Sequence, residues 1–116
     1  MDIKTVYLLG PMTGHEDDNY PAFYEAAGVL REKGYVVINP AEMGRDDSMT
    51  WEQYLDRDLN IILTKEIHAG VALTGWHLSR GAQLEAHAIL TRELPLLQYP
   101  DLKPLPVNPT WEWKGE

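Results

Sequence analysis

Cysteine is absent from the 116-residue chain. Disulfide bonds, thiolate catalysis and cysteine-bound zinc or iron–sulfur clusters are therefore excluded. Basic residues are also few, since 10 lysines and arginines stand against 18 aspartates and glutamates and the formal net charge is −8. Nucleic-acid polymers and anionic membranes attract proteins through lysine and arginine, so we expect neither as a partner.

Long hydrophobic runs are lacking as well. No apolar stretch approaches the roughly 20 residues that span a bilayer, and the N-terminal stretch MDIKTVYLLGPMTG shows no signal-peptide pattern. We therefore expect no transmembrane helix and a cytoplasmic location. The length suits one domain, and 44% apolar with 24% charged residues is the balance of a globular protein.

Strand and helix patterns alternate along the chain. Continuous apolar runs predict four buried strands, and amphipathic spacing predicts three helices between them. The predicted strands cover residues 3–9, 35–38, 70–73 and 95–99, and the predicted helices cover residues 20–33, 51–66 and 80–92. Residues suited to cap the three helices stand directly before them: Asn19, Thr50 and Ser79.

This alternation predicts an α/β fold, a three-layer sandwich of flavodoxin- or Rossmann-like type. Helices would cover both faces of a parallel sheet of four or five strands in the order 2-1-3-4. Residues 1–99 would form the domain, and the proline-rich residues 100–116 would form an extended tail without regular structure. Ligands bind beyond the carboxyl ends of the strands in such sheets, which directs attention to residues 10–14, 39–42 and 74–81.

Two carboxylates occupy positions where helical spacing expects apolar side chains. Asp58 falls within the apolar stripe of the second helix, and Glu85 shares a face of the third helix with small and apolar residues. Each could lie at the edge of its stripe, solvated or paired with a neighbour, or it could act on a ligand. Two carboxylates that face one crevice are typical of glycosidic chemistry, in which one attacks or stabilises the anomeric carbon and the other handles protons.

Other kinds of site have less support. The four histidines lack metal-binding spacing, so we predict no metal site. The loop GPMTG at residues 10–14 is neither a dinucleotide fingerprint nor a Walker phosphate loop, and we expect no cofactor. Ser79 and Gly81 open the third helix, where free backbone amides can hold an anion.

Four motifs, taken in order, resemble one known family. They are YLLGPMTG at 7–14, NPAE at 39–42, W-x-x-Y-L-D-R-D-L at 51–59 and GW-x-x-SRGAQLE at 75–85. Over about residues 5–99 the chain is similar to the nucleoside 2-deoxyribosyltransferase-like superfamily, in particular to a branch of small bacterial and phage proteins. The resemblance implies an enzyme acting on a nucleoside or nucleotide.

The resemblance also implies roles for individual residues. Glu85 would be the nucleophile that forms a deoxyribosyl-enzyme, and Asp58 would act on the base or the leaving group. Ser79, six residues before the glutamate, would hold a 5′-phosphate. Residues of the first strand, of the loop that follows it and of the start of the third helix are expected to bind substrate. They are Tyr7, Gly10, Pro11, Met12, Ser79 and Gly81.

The chain departs from the family pattern at His68, which stands where an acidic residue is usual, and at Trp76 and His77, where transferases carry acidic base-binding residues. Three functions stay open: an enzyme that cleaves or transfers an N-glycosidic bond, a catalytically silent module that sequesters a nucleotide or nucleotide-derived signal, and an interaction protein. Members of the superfamily are oligomers. With four tryptophans and a proline-rich tail, we expect at least a homodimer.

Overall fold

The computed structural model describes residues 2–44 and 46–106. Its strands are β1 Thr5–Leu9, β2 Val36–Ile38, β3 Ala69–Ala72, β4 Leu96–Gln98 and β5 Lys103–Pro104, and its helices are α1 Tyr20–Glu32, α2 Trp51–Thr64 and α3 Arg80–Thr91. The strands form one sheet in the order β2-β1-β3-β4-β5, and the first four are parallel. The predicted α/β class and strand order are confirmed. No helix among these residues has the length and apolar character needed to cross a membrane.

The sheet lies between two helical layers because side chains alternate along each strand. Val6 and Leu8 of β1 pack in the cluster that contains the buried face of α1. Tyr7 and Leu9 point the other way, into the cluster formed with α2 and α3. This alternation decides that Tyr7 meets the two helices that carry Asp58 and Glu85.

One expectation is wrong, because the tail from Pro100 contains a regular element. β5 pairs antiparallel with β4 and places Pro104 opposite Leu97. Proline is accommodated because β5 is an edge strand, where an N–H that points outward is not needed for the ladder. Leu102 and Leu105 pack against the core clusters on the two faces of the sheet. The rest of the predicted tail, residues 107–116, lies outside the described residues.

Two of the three predicted helix caps form. The Thr50 hydroxyl accepts the N–H of Gln53 at 3.1 Å, and the Gln53 side chain accepts the N–H of Thr50 at 2.8 Å. Ser79 accepts the N–H three residues further on at 3.3 Å. Asn19 makes no side-chain cap. Its amide donates instead to the Pro11 carbonyl at 2.9 Å, because a left-handed backbone, with φ of +63°, turns it towards the loop after β1.

The NPAE motif at 39–42 packs the end of β2 against α1. Asn39 is buried, and its amide accepts the N–H two residues on at 3.0 Å and donates to the Phe23 carbonyl at 3.4 Å. Glu42 accepts two hydrogen bonds from Arg31, at 2.6 and 2.8 Å. The role of the motif is therefore structural, and none of its residues lines the cleft described below.

Candidate active site

A cleft of about 390 Å³ opens between the loop after β1, the loop before α2, and the N-terminal parts of α2 and α3. It lies beyond the carboxyl ends of β1 and β3, where ligands bind in parallel α/β sheets. Six of the residues predicted to act on or bind substrate line it, namely Gly10, Met12, Asp58, Ser79, Gly81 and Glu85. Tyr7 and Pro11 are not among the lining residues.

Asp58 of α2 and Glu85 of α3 form a hydrogen-bonded carboxyl pair at the base of the cleft. Their exposed fractions are only 8% and 7%. Burial raises the pKa of Glu85 well above its ordinary value of 4.5, and the adjacent Asp58 raises it further. Burial also raises the pKa of Asp58, against the lowering effect of its hydrogen bond with Glu85 and of Arg57. Two adjacent buried carboxyls titrate as a unit, and between their two ionisation steps they hold one proton.

Tyr7 supports the pair from the sheet. Its buried hydroxyl donates to Oε2 of Glu85 at 3.2 Å. Burial and the charges of Glu85 and Asp58 raise the pKa of Tyr7 well above 10.0, so the phenol keeps its proton and remains a donor. Tyr7 therefore reaches the cleft through Glu85 and does not form part of its wall.

Arg57 is a site residue that the sequence analysis missed. Its Nε donates to Oδ1 of Asp58 at 3.0 Å, and its guanidinium lies over the ring of Tyr54, 5.1 Å from the centroid. It also lines the cleft. Since α2 carries many polar residues, no spacing rule distinguishes this arginine from a solvated one, and only the fold reveals its contacts.

Part of the cleft lining is apolar and aromatic. The side chains that form it are Met12, Met49, Trp51, Tyr54 and Leu55. Trp51 begins the apolar stripe of α2 that contains Asp58, but it is only half-buried. Its indole packs over Gly81, where an added Cβ would lie 3.8 Å from the ring. Trp51 shares the helix face of Asp58, so the same periodicity that identified the carboxylate could have placed the indole in the cleft.

The rim of the cleft carries negative charge on the loop before α2. The Tyr54 hydroxyl binds this loop to α2, since it accepts the N–H of Asp46 at 2.6 Å and donates to the Asp46 backbone carbonyl at 2.7 Å. Ser48 donates its hydroxyl and its N–H to the Asp46 carboxylate at 2.6 and 3.0 Å, which lowers the pKa of Asp46. Asp46 is therefore ionised at neutral pH, and Asp47 lines the cleft next to it.

Two predicted binding residues also have structural tasks. A Cβ on Gly10 would stand 2.9 Å from Cβ of Leu73, so glycine is required for the ends of β1 and β3 to pass each other. Ser79 caps α3 through its bond to the N–H of Ala82. Packing alone explains either residue, whereas the buried carboxyl pair is held by polar contacts with Arg57 and Tyr7.

The three residues that depart from the pattern of the superfamily that the sequence resembles do not line the cleft. His68 accepts two backbone N–H groups at the start of β1, at 3.1 and 3.0 Å. Trp76 is 6% exposed within the core on the α2–α3 side, and the His77 carbonyl accepts the Gln83 amide at 2.6 Å. None of the three lines the cleft, so they do not stand in for base-binding acids there. Within residues 2–44 and 46–106, no group of three or more histidines, aspartates or glutamates is arranged to hold a metal ion.

Comparison with known proteins identifies a family. Residues 4–98 match the family described as Domain of unknown function (DUF4406). The chain belongs to this family. The matched span of this DUF4406 chain includes the carboxyl pair, Arg57 and the cleft wall, so the site is part of the family domain. No curated protein matches the chain.

The raised pKa of Glu85 predicts a stability difference that needs no substrate. A carboxyl whose pKa is raised on folding stabilises the fold fully below its unfolded value of 4.5, and this contribution is lost as the pH rises through the folded pKa. Glu85→Gln removes this dependence. We therefore expect the free energy of unfolding of Glu85→Gln, minus that of the wild type, to increase between about pH 5 and pH 8. The increase is about 1.4 kcal/mol for each unit by which folding raises the pKa of Glu85.

Urea denaturation across this pH range measures the difference. Glu52→Gln is the matched control, because Glu52 is exposed in the first turn of α2. It should keep the pH dependence of the wild type. Equal pH dependence in wild type and Glu85→Gln would show that Glu85 is not held in its neutral form.

Proposed function

We propose that the protein cleaves or transfers the N-glycosidic bond of a 2-deoxynucleoside or its 5′-monophosphate. The observation that carries this proposal is the buried Asp58–Glu85 pair at the base of an open cleft. Burial of two carboxyls is unfavourable for folding, so their retention indicates chemistry. The resemblance of the four sequence motifs to the nucleoside 2-deoxyribosyltransferase-like superfamily supports the same reaction.

In this mechanism the two carboxyls act in opposite protonation states. The Glu85 carboxylate attacks the anomeric carbon, the bond from that carbon to the base nitrogen breaks, and its electron pair leaves with the base. Asp58 gives its proton to the departing base. The deoxyribosyl ester on Glu85 then passes to water or to a second base, and Asp58 takes a proton from that acceptor. The Tyr7 hydroxyl keeps Glu85 oriented through both steps.

The shape of the cleft suits this class of substrate. Its volume of about 390 Å³ is within the range of small-molecule sites. The indole of Trp51 offers a flat apolar surface for a planar base. Ser79 and the first backbone amides of α3 lie in the same cleft, where they can hold a 5′-hydroxyl or a 5′-phosphate. Asp46 and Asp47 at the rim oppose a second anion near the entrance.

Chromatographic product analysis tests the proposal. The full chain is incubated with a panel of deoxynucleosides, ribonucleosides and their 5′-monophosphates, and release of free base is measured with and without a second base as acceptor. Release from deoxy substrates supports the proposal. Binding without product from any member of the panel overturns it in favour of a nucleotide-binding module. If the protein neither binds nor converts any member, both the enzymatic and the nucleotide-binding functions are overturned.

Ser79→Ala should separate the two substrate types. If the Ser79 hydroxyl donates to a 5′-phosphate, its loss should weaken monophosphate binding about tenfold or more, because hydrogen bonds to charged groups contribute most. Nucleosides should lose less. Ser79→Thr keeps both the hydroxyl and the helix cap, and it should bind as wild type does. Calorimetry showing equal losses for both ligands in Ser79→Ala would place the phosphate elsewhere.

A homodimer or higher oligomer stays a prediction. Trp76 is accounted for by the core of a single chain, and Trp51 by the cleft. Trp111 and Trp113 lie outside the described residues. Light scattering at tens of micromolar, on the order of the concentration at which weak dimers form, measures the state directly. A monomer there would contradict the prediction.

A further inference from the structure

We propose that Arg57 is a positioning residue whose ion pair with Asp58 keeps the shared proton on Glu85 in the free protein. The catalytic consequence of this inference rests on the proposed function, whereas its test by titration needs no substrate. The inference follows from an asymmetry in the site. Both residues are buried, with exposed fractions of 8% for Asp58 and 7% for Glu85, yet Arg57 donates to Asp58, at 3.0 Å, and its guanidinium lies over the Tyr54 ring.

The helices, β1 and the segments between them all supply charged and titratable groups around the pair. α2 supplies Arg57 and Asp58, α3 supplies Glu85, and β1 supplies Tyr7. Asp18, Asp46 and Asp47 also lie in the cleft lining, together with the phenols of Tyr20 and Tyr54. Among the described residues that line the cleft, Arg57 is the cation. Because it bonds to one carboxyl only, it favours the ionised form of Asp58 over that of Glu85.

This arrangement is the reverse of the one that catalysis requires. Attack needs an ionised Glu85 and a protonated Asp58, whereas the ion pair favours a protonated Glu85 and an ionised Asp58. Transfer of one proton from Glu85 to Asp58, across their mutual hydrogen bond, converts the resting state into the reactive one and leaves the charge of the pair at one negative unit. Release of Asp58 by Arg57 promotes this transfer.

A ligand is well placed to cause that release. The Arg57 side chain is 27% exposed and lines the cleft, so a bound base that accepts a hydrogen bond can draw the guanidinium away from Asp58. The nucleophile is then formed only when the cleft is occupied. Arg57 thereby restrains Glu85 in the free protein and takes no part in bond making or breaking.

Carboxyl carbon NMR titration of the full chain tests the role of Arg57 without a substrate. Resonances are assigned with Asp58→Asn and Glu85→Gln. In wild type we expect Asp58 to ionise at a lower pH than Glu85. In Arg57→Gln, Asp58 should ionise at a pH higher by about one to three, and the gap between the two carboxyls should close or invert. Arg57→Lys retains the charge and should show a smaller change.

Arg80→Gln is the matched control. Arg80 also stacks on an aromatic ring of α2, 4.9 Å from the Trp51 centroid, so its loss removes a similar contact. The Asp58 titration should be unchanged in this variant. An Asp58 titration in Arg57→Gln that equals the wild type overturns the inference. If that variant does not fold, Arg57→Met, which also removes the charge, takes its place in the same titration.

Activity adds an independent readout. With a substrate in hand, the acid limb of the kcat/KM profile should move to higher pH in Arg57→Gln and stay in place in Arg80→Gln. A titration shift in a protein that turns over no substrate upholds the role of Arg57 and overturns the glycosidic function. Turnover without a titration shift upholds the glycosidic function and overturns the role of Arg57. The failure of one proposal is therefore distinguishable from the failure of the other.

Discussion

Glu85→Gln is expected to reduce turnover by about 10⁴-fold or more, as removal of an enzymatic nucleophile does. The glutamine keeps the shape of the side chain and can still accept from the Tyr7 hydroxyl, but it cannot form the deoxyribosyl ester. Ligand binding should persist, because the walls of the cleft are unchanged. Steady-state kinetics with the substrate found in the panel measures the loss, and calorimetry measures the retained affinity.

A second variant distinguishes a lost nucleophile from a damaged fold. Glu85→Ala leaves space at the base of the cleft, where added formate can take the place of the missing carboxylate and restore part of the turnover. Glu52→Gln, on the exposed face of α2, should behave as wild type. Wild-type activity in Glu85→Gln would show that another group attacks the sugar.

Asp58→Asn is expected to slow turnover by on the order of 10²-fold or more, the usual contribution of general acid catalysis. Asparagine cannot supply the proton that the departing base takes up. The defect should shrink for a deoxyriboside whose leaving group is stable as an anion, such as a nitrophenolate, because that group departs without a proton. Comparison of the two substrates in one assay isolates the acid role from general disturbance of the pair.

Asp56→Asn is the matched control for this experiment, since Asp56 is on the same helix but exposed. It should leave turnover unchanged for both substrates. If Asp58→Asn slows the nitrophenyl substrate as strongly as the nucleoside, Asp58 serves to orient Glu85 and does not act as the acid. The Asp58→Asn substitution also removes the charge that Arg57 contacts, so the pH profile is recorded for each variant.

The sequence by itself identified the α/β class, the order of the first four strands and both buried carboxyls. These features depend on local periodicity. An apolar stripe in a helix shows which face turns inward, so the spacing of residues alone marks Asp58 and Glu85 as carboxyls on an inward face. The Thr50 capping box is local in the same sense, because both of its partners lie within one turn.

Other features depended on contacts between distant parts of the chain. The Pro100 tail adds an edge strand because its backbone meets β4, which proline content alone could not reveal. Asn19 does not cap α1, because its amide donates to the Pro11 carbonyl. His68 accepts backbone N–H groups at the start of β1 and does not reach the cleft. In each case a polar group had several possible partners, and packing of the sheet decided which one was near.

The chemistry of the site was likewise decided by tertiary structure. Tyr7 and Glu85 are 78 positions apart, and they meet because β1 directs Tyr7 to the face that α3 covers. The sequence marked two carboxyls on inward helix faces, but it could not show that they share a hydrogen bond or that Arg57 donates to Asp58. Periodicity specifies which way a side chain points, whereas its charge state depends on the groups that packing brings within a few ångströms.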